Sequence, residues 1–248
     1  MIIQSLKLKN FRNYELLNLT FHPVTNIFHG DNAQGKTNIL EAVYLAGTTK
    51  SHRGTKDRDM ISFGEEESHI EVKVLKNGVP FRIDIHLKKN SPKGAAINRM
   101  PVKRASELFG IINLVFFSPE DLNIIKNGPG ERRRFIDSEL CQLNKVYLSD
   151  LSSYNHVLNQ RNKLLKDIGF QSGLAATLDV WDEQLVRYGR SIIESRHEFI
   201  RDINDIIGGI HSSITGGKEK IELVYEPNVK SDEFYEQLGK NREKDFKF

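Results

Sequence analysis

The sequence lacks the features that mark secreted, membrane-spanning or metal-rich proteins. It holds one cysteine, Cys141, among 248 residues, which excludes an internal disulfide and any multi-cysteine metal site and is typical of a reducing compartment. No stretch approaches the roughly eighteen consecutive apolar residues of a membrane-spanning helix, and the segment Met1–Lys7 lacks the order of a signal peptide. We therefore expect a cytoplasmic protein with no membrane association, in which Cys141 is a packing residue.

A large excess of charge of one sign is also missing. The formal net charge is +3, so the overall electrostatics do not by themselves indicate a nucleic-acid binder. Basic residues are nevertheless concentrated in four places, at His52–Arg58, Lys88–Lys93, Arg99–Arg104 and Arg132–Arg134. Folding either gathers several of these clusters on one face or leaves them as scattered, solvated charge, and the sequence leaves both readings open.

The most informative motif that is present is a P-loop at Gly30–Thr37. It has the pattern of Gly, four variable residues, Gly, Lys and Thr. An apolar run at Val24–Phe28 predicts a strand before it, and an amphipathic run at Thr37–Leu45 predicts a helix after it. The apolar positions of that helix are Ile39, Leu40, Val43 and Tyr44. A strand, a glycine-rich loop and a helix in this order would support a nucleotide-binding P-loop, and a plain glycine-rich turn is the weaker alternative.

Each residue type in this loop suits a polyphosphate. Gly30 and Gly35 allow backbone angles and close approaches that a Cβ would obstruct, Lys36 carries an ammonium for the β- and γ-phosphates, and the Thr37 hydroxyl is a ligand for Mg²⁺. The backbone N–H groups at the start of the helix complete the anion site. The residues predicted to contact ATP are Gly30, Asp31, Asn32, Ala33, Gln34, Gly35, Lys36, Thr37 and Asn38.

Alternating apolar residues predict several strands in the first half of the chain. Residues 2–9 and 14–21 form one expected hairpin, and His69–Leu87 forms another around Asn77-Gly78, a strong turn signal. Leu114–Phe117 predicts a buried strand, and the following segment Ser118–Asp121 predicts the start of a helix of one or two turns. These patterns predict an ATP-binding lobe at 1–135 that contains a β-rich subdomain at about 65–110.

The second half has helical periodicity. Two apolar stripes, separated by Gln171–Gly173, predict a pair of long helices in an arm domain at 136–210, which either projects from the globular part or packs against it. The first stripe contains Tyr147, Leu151, Tyr154, Leu158 and Leu165, and the second contains Leu178, Trp181, Leu185, Tyr188, Ile192, Phe199, Ile203 and Ile206. A return segment at 211–248 follows, with a strand expected at Ile221–Tyr225 and a helix at Ser231–Lys240.

An ordered set of short motifs resembles the RecF family of bacterial DNA-repair ATPases. The motifs are Asn10–Tyr14, Gly30–Asn38 followed by Leu40–Ala42, Ser51–Arg53, Phe117–Leu122 and Gly128–Asp137. They run from the first predicted strand to the helical arm and agree with the family in residues, order and spacing. A P-loop alone would be weak evidence for a family, whereas the whole set is specific.

The resemblance implies an α/β fold, a P-loop ATPase head of the ABC type related to the SMC family, with a β-rich subdomain and a long helical hairpin. It also implies Mg²⁺, an ATP-dependent homodimer that clamps DNA, and recognition of gaps where single strand meets duplex. RecR and RecO are the implied partners in recombinase loading during recombinational repair and replication restart, in connection with the SOS response. The homodimer, the DNA substrate and the protein partners do not follow from composition or spacing.

Three further residues are matched to functional positions by the resemblance. Arg12 and Asn13 match the segment that approaches the nucleotide in SMC-like heads, and Glu120 matches a polar position near the metal or its water. The alternatives are an ordinary turn for Arg12-Asn13 and a helix cap for Glu120. The predicted metal ligands are therefore Thr37 and Glu120, and no residue is assigned a catalytic role.

The sequence departs from the family at its end. The signature loop, with its Ser-x-Gly-Gln core, and an acidic metal-binding strand are not recognisable, since Glu226 is directly followed by Pro227. The head is therefore expected to be incomplete, and the chain to be a truncated form that binds ATP without appreciable hydrolysis.

Two other classes of function compete with a DNA-repair protein. A GTPase or small-molecule kinase would share the P-loop, but the Asn-Lys-x-Asp element of guanine selection does not occur, since Asn162-Lys163 is followed by two leucines. A nucleotide-binding adaptor without hydrolysis, which docks proteins through the helical arm, is the runner-up hypothesis. The substitution Lys36→Ala separates the hypotheses, because an adaptor keeps its partner and an ATP-gated clamp loses DNA.

Overall fold

The structure is a computed structural model that describes residues 1–168 and 177–245. The chain divides into two compact units, Met1–Leu143 and Asn144–Phe248. The predicted boundary at residue 135 falls inside a helix of the first unit, and the one at residue 210 falls inside a helix of the second. Within the described residues, no helix is both long and apolar enough to cross a membrane.

The first unit is built on one antiparallel sheet of six strands. The strands are β1 Ile2–Phe11, β2 Tyr14–Thr20, β3 Glu67–Lys76, β4 Val79–Lys88, β5 Ser91–Ile97 and β6 Met100–Pro101. Their order is β2-β1-β3-β4-β5-β6, so the first hairpin and the predicted β-rich subdomain share a sheet. Both predicted hairpins are confirmed. Asn77 and Gly78 have φ of 51° and 80°, the positive values that a tight two-residue hairpin turn requires.

Three α-helices and three short 3-10 helices accompany this sheet. The α-helices are α1 Lys36–Thr48, α2 Asn123–Lys126 and α3 Pro129–Leu143, and the 3-10 helices are Asp57–Met60, Ala105–Leu108 and Pro119–Leu122. The helix predicted after the P-loop is confirmed and extends to Thr48. The short helix predicted from Ser118 is also confirmed, as a 3-10 turn that continues into α2.

The core of this unit lies between one face of the sheet and α1. Strand alternation places every second side chain on that face, among them Leu6, Ile70 and Ile85, which are buried. On α1 the buried apolar residues are Ile39, Ala42, Leu45 and Ala46. Leu40 was predicted on the apolar face but is 46% exposed, so the buried stripe is rotated away from it.

Two predicted strands of this unit are wrong. Val24–Phe28 and Leu114–Phe117 form no ladder with any described residue. Val24 is 83% exposed and Val115 is 94% exposed, so the second segment is not buried either. An apolar extended segment becomes a strand only when a neighbouring backbone accepts its hydrogen bonds, and no local pattern reports whether that neighbour exists.

The second unit is a helical hairpin with a third helix. The helices are α4 Lys145–Ile168, α5 Leu178–Thr215 and α6 Phe234–Asp245. The predicted pair of long helices is confirmed, and the expected break at Gln171–Gly173 lies outside the described residues. The prediction that Ile206 packs as part of the apolar stripe of α5 is wrong, because this residue is 63% exposed.

The two long helices are joined to α6 by a buried group of ions. The Asp182 carboxylate accepts from Arg161 Nε at 2.5 Å and from Arg242 Nε at 2.8 Å, and Asp182 is 1% exposed. Gly189 on α5 lets α6 approach closely, since a Cβ there would overlap the ring of Phe234. Ion pairing and close packing therefore act together at this junction.

The strand predicted at Ile221–Tyr225 is wrong. The Asn204 side chain donates to Leu223 O at 2.7 Å and accepts from Leu223 N at 2.9 Å. A side-chain amide thus takes both backbone groups of Leu223 that a strand neighbour would use, and the segment belongs to no strand. The expected final helix exists but is displaced, beginning at Phe234 and ending at Asp245.

Candidate nucleotide-binding site

The loop before α1 adopts backbone angles that few residue types tolerate. Gly30 has φ of 135°, Ala33 65° and Gly35 96°, and Gly35 is the left-handed residue that begins α1. Asn38 N and Ile39 N donate to Gly35 O at 2.8 and 3.3 Å, which starts the helical ladder. Because this ladder begins at Asn38, the N–H groups of Gly35, Lys36 and Thr37 have no partner inside the helix.

Lys36 bends back over the loop. Its Nζ donates to Gly30 O at 2.7 Å and to Asp31 O at 2.6 Å. The ammonium therefore lies across the mouth of the loop, at the positive end of the α1 dipole. Two carbonyl oxygens are weaker partners for an ammonium than phosphate oxygens, so the same position suits exchange with an anion.

The remaining predicted loop residues are open to solvent. The exposed members are Asp31, Asn32, Ala33, Gln34 and Thr37. Thr37 lies in the first turn of α1, where its hydroxyl oxygen is one hard ligand of the kind that Mg²⁺ prefers. Mg²⁺ usually takes few protein ligands and completes its shell with water and phosphate oxygens, and this single hydroxyl fits that chemistry. The side chain of Glu120, the other predicted metal ligand, lies outside what the structure describes.

The β1–β2 turn touches the loop from the side. Asn13 Nδ2 donates to Gln34 O at 3.2 Å, and Asn38 Nδ2 donates to Asn13 Oδ1 at 2.8 Å. A Cβ on Gly35 would lie 2.6 Å from Asn13 Oδ1 and 2.9 Å from Tyr14 Oη, so only glycine fits there. Asn13, which the resemblance matches to a segment approaching the nucleotide, is therefore in direct contact with the P-loop.

Arg12 is placed differently from Asn13. Its Nε and Nη2 donate to the two carboxylate oxygens of Glu41 at 2.9 and 2.6 Å, Nη2 also reaches Thr55 Oγ1, and Nη1 donates to Asp59 O. All three guanidinium nitrogens thus have protein partners. Arg12 joins the loop region to α1 through an ion pair, and the nucleotide contact predicted for it stays a prediction.

Glu41 lies at the centre of these contacts, and the sequence motifs included it without predicting a role for it. Burial raises its pKa, but the hydrogen bonds from Arg12 and Ser51 and the charges of Arg12 and Arg53 outweigh burial, so its pKa is lowered overall. Ser51 Oγ donates to Glu41 Oε1 at 2.5 Å, and Arg53 Nη1 also donates to Asn38 Oδ1 at 3.3 Å. An acid in the middle of an otherwise apolar helix face was the signal in the sequence that could have found this residue.

Comparisons with known proteins agree with this geometry. A family model described as AAA domain matches residues 5–245. The DNA replication and repair protein RecF of Agathobacter rectalis is 62% identical over 247 residues, which is 100% of this chain and 68% of that protein. RecF of Lachnospira eligens is 60% identical over 100% of this chain and 69% of its own length. This chain belongs to the RecF family.

Solved RecF structures share the fold as well as the sequence. The structure of the recombination mediator protein RecF with ATP has a TM-score of 0.91 at 31% identity, and covers 99% of this chain and 68% of that one. A second RecF structure, with ATPrS, has a TM-score of 0.90 at 31% identity, with the same coverage. The expected fold class, a mixed α/β ATPase head with an antiparallel sheet and a helical hairpin, is confirmed.

Proposed function

We propose that this chain is an ATP-binding, DNA-binding protein of replication and repair, and that Gly30–Thr37 binds ATP with Mg²⁺. The observation that supports this most is the pose of Lys36, whose ammonium lies over the carbonyl oxygens of Gly30 and Asp31 at the start of α1. A triphosphate placed there meets an ammonium, unpaired helix amides and the positive end of a helix dipole at once. The RecF structure with ATP supports the choice of nucleotide.

The neighbouring residues divide between two proposed roles. Asn13 donates a hydrogen bond to Gln34 O in the loop and accepts one from Asn38, so we assign both asparagines to the nucleotide contact. Arg12 contributes through Glu41, which anchors the β1–β2 turn against α1. Thr37 supplies a hydroxyl to Mg²⁺, and Glu120 remains a proposed second metal ligand.

The proposal for the biological role rests on membership of the RecF family. We propose that the chain acts on gapped DNA, where single strand meets duplex, and assists recombinase loading with RecR and RecO as an ATP-dependent homodimer. The curated relatives are named for DNA replication and repair, and the RecF structures are described as a recombination mediator of the RecFOR pathway. Contacts of this kind are made mainly to phosphates, so affinity should depend on salt more than on base sequence.

Titration with Mg·ATP tests the nucleotide site. We expect Lys36→Ala to weaken ATP binding by roughly 10- to 100-fold, because a hydrogen bond to a charged group contributes about 1.5–3 kcal/mol. Lys50→Ala is the matched control, since Lys50 is an exposed lysine just past the end of α1. Thr37→Ala should reduce the effect of adding Mg²⁺ more than it reduces binding of ATP alone. Equal ATP affinity of wild type and Lys36→Ala would contradict the assignment of Gly30–Thr37 as the ATP site.

A gapped duplex and a blunt duplex of equal length test the DNA role. With Mg·ATP present, we expect tighter binding to the gapped substrate and a steep loss of affinity as salt is raised. Affinity that stays the same from low to moderate salt contradicts a phosphate-clamping mechanism. DNA retention by Lys36→Ala equal to that of wild type would contradict an ATP-gated clamp.

A further inference from the structure

The outer side of the antiparallel sheet, opposite α1, carries a concentration of positive charge. Cross-strand pairs on one sheet place residues on the same side, and the register pairs Lys7 with Glu71, Lys9 with His69, and Lys73 with Arg82. Their sequence neighbours, such as Leu6, Leu8 and Val72, are buried on the core side. We call Lys7, Lys9, Lys73 and Lys88 the basic sheet face. All four are exposed.

Two of the three acids on this side are withdrawn from solvent. Glu71 is 6% exposed and Asp84 is 4% exposed. Arg82 Nη2 lies 3.0 Å from Glu71 Oε2 and 2.7 Å from Asp84 Oδ1, and His69 Nε2 lies 3.0 Å from the same Asp84 oxygen. Lys73 Nζ also lies 4.0 Å from Glu71 Oε1, so Arg82 and Lys73 together balance these two carboxylates. Glu67, opposite Lys88, is the exposed acid of β1, β3 and β4 on this side.

We propose that the basic sheet face binds the phosphate backbone of duplex DNA. This inference rests on the proposed DNA-binding function and assigns a surface to it. The four lysines are compact charges on flexible stems, suited to phosphates at varying positions rather than to one fixed ligand. Lys7 and Lys9 are two residues apart on β1, about 6.8 Å along the strand, which equals the rise of about two nucleotide steps along the axis of duplex DNA.

The face is built for a duplex rather than for single-stranded nucleic acid. Binding of single strands relies on aromatic side chains that stack with bases. None of the outward residues of β1, β3 and β4, all of them described, is Phe, Tyr or Trp. The two rings on this side, His69 and His86, stack on each other with centroids 4.2 Å apart. A regular sheet face of exposed ammoniums therefore matches a backbone whose bases are paired inside the helix.

The test removes charge from this face without disturbing the nucleotide site. The triple variant Lys7→Gln, Lys9→Gln, Lys73→Gln should bind a short blunt duplex at least 10-fold more weakly than wild type in Mg·ATP. The slope of log affinity against log salt should fall in magnitude by about 2.7, since each lost phosphate contact removes about 0.9. ATP affinity should stay as in wild type, because the replaced side chains are exposed and lie on the sheet side away from α1. Thermal stability should fall only slightly, because the one ion pair that is lost, Lys73 with Glu71, is 4.0 Å long and its lysine is about half exposed.

Two controls make the outcome specific to this face. A second triple variant, Lys163→Gln, Lys218→Gln, Lys220→Gln, removes the same charge from exposed positions of the other unit. Replacing Lys7, Lys9 and Lys73 by Arg keeps the charge and should keep the affinity. Equal duplex affinity and salt slope for the Gln triple and wild type would overturn the inference while leaving DNA binding intact. A wild type that binds no DNA would overturn the proposed function and this surface together.

Discussion

Arg12 and Glu41 form a two-pronged ion pair whose acid is completely buried. Nε and Nη2 of Arg12 donate to the two oxygens of Glu41 at 2.9 and 2.6 Å, and the Glu41 side chain is 0% exposed. The pair ties the turn beside the P-loop to the helix that follows it. Because Arg12 has φ of 55°, an unfavourable angle for a residue with a Cβ, this ion pair also holds a strained backbone position.

Replacing Glu41 by Gln is expected to destabilise the chain by about 3–5 kcal/mol, because a buried guanidinium contact loses its charged partner. The free energy of unfolding from urea titration measures this. Arg58→Ala is the control: the pair Arg58–Asp59 is 62% and 52% exposed, so a change within about 0.5 kcal/mol is expected. A loss for Glu41→Gln no larger than for Arg58→Ala would contradict the structural role of the pair.

Stability is expected to fall in acid because of Glu41 and Asp84. Both carboxyls have a lowered pKa in the folded chain, although burial opposes their ionisation. Hydrogen bonds from Arg12 and Ser51 outweigh burial at Glu41, and those from Arg82 and His69 outweigh it at Asp84. A lowered folded pKa stabilises the fold above the unfolded values, 4.5 and 3.8, and this contribution disappears as pH falls through the folded pKa. Unfolding free energies measured from neutral to acidic pH should decline more shallowly for Glu41→Gln than for wild type.

Alanine at Gly35 is expected to be much less tolerated than alanine at Gly30. Both glycines have positive φ, which costs a residue with a Cβ about 1–2 kcal/mol. At Gly35 the new Cβ would also overlap Asn13 and Tyr14, whereas nothing lies within 4 Å at Gly30. Thermal unfolding without nucleotide should show the larger loss for Gly35→Ala, and adding Asn13→Ala should recover part of it. Equal losses at both glycines would argue against the close contact.

Asp182→Asn is expected to unfold the helical unit at lower denaturant. Asp182 is paired with both Arg161 and Arg242, and Arg161 is 4% exposed. The substitution removes the buried carboxylate and leaves the two arginines with the more exposed Asp245 and Asp179, so a cost of about 3 kcal/mol is expected, the lower end for a broken buried pair. Circular dichroism during urea titration measures this loss. Glu236→Gln removes an exposed partner of Lys240 in the same unit and should change little. The prediction fails if the two variants have the same midpoint.

Cys141 is expected to resist alkylation in the native chain. Burial, with a smaller contribution from Asp137, raises the pKa of its thiol to about 12, so little thiolate exists at neutral or mildly alkaline pH. Reaction with iodoacetamide, followed by mass spectrometry, should be slow in buffer and fast in denaturing urea. Rapid labelling in buffer would show that the thiol is accessible and would contradict its assignment as a packing residue.

Local patterns predicted the elements whose partners lie nearby in the sequence. The hairpin at Asn77-Gly78 follows from two residues that tolerate positive φ, and α1 follows from the P-loop and its amphipathic run. Patterns failed where a distant group decided the outcome. Leu223 alternates like a strand residue, but Asn204, nineteen positions earlier, holds its backbone N and O.

The nucleotide site likewise combines features that the local sequence predicts with features that depend on distant residues. The identity and order of Gly30–Thr37 were sufficient to predict a phosphate loop, because its chemistry resides in consecutive residues. Three other features of the site join segments that are 20 to 29 positions apart. Asn13 contacts Gln34, Tyr14 lies close to Gly35, and Glu41 is buried against Arg12. Such contacts could not be read from spacing, since they depend on how the sheet brings the β1–β2 turn beside α1.

The sequence by itself determined the P-loop chemistry, the hairpin turns and the helical periodicity of the arm, since each depends on backbone angles and side chains within a few residues. Only the tertiary structure decided that Arg12 is bound by Glu41 and that the acids Glu71 and Asp84 are buried under Arg82 while the lysines of the sheet stay exposed. Burial and charge pairing are properties of the neighbours that folding supplies, and a linear sequence does not specify those neighbours locally.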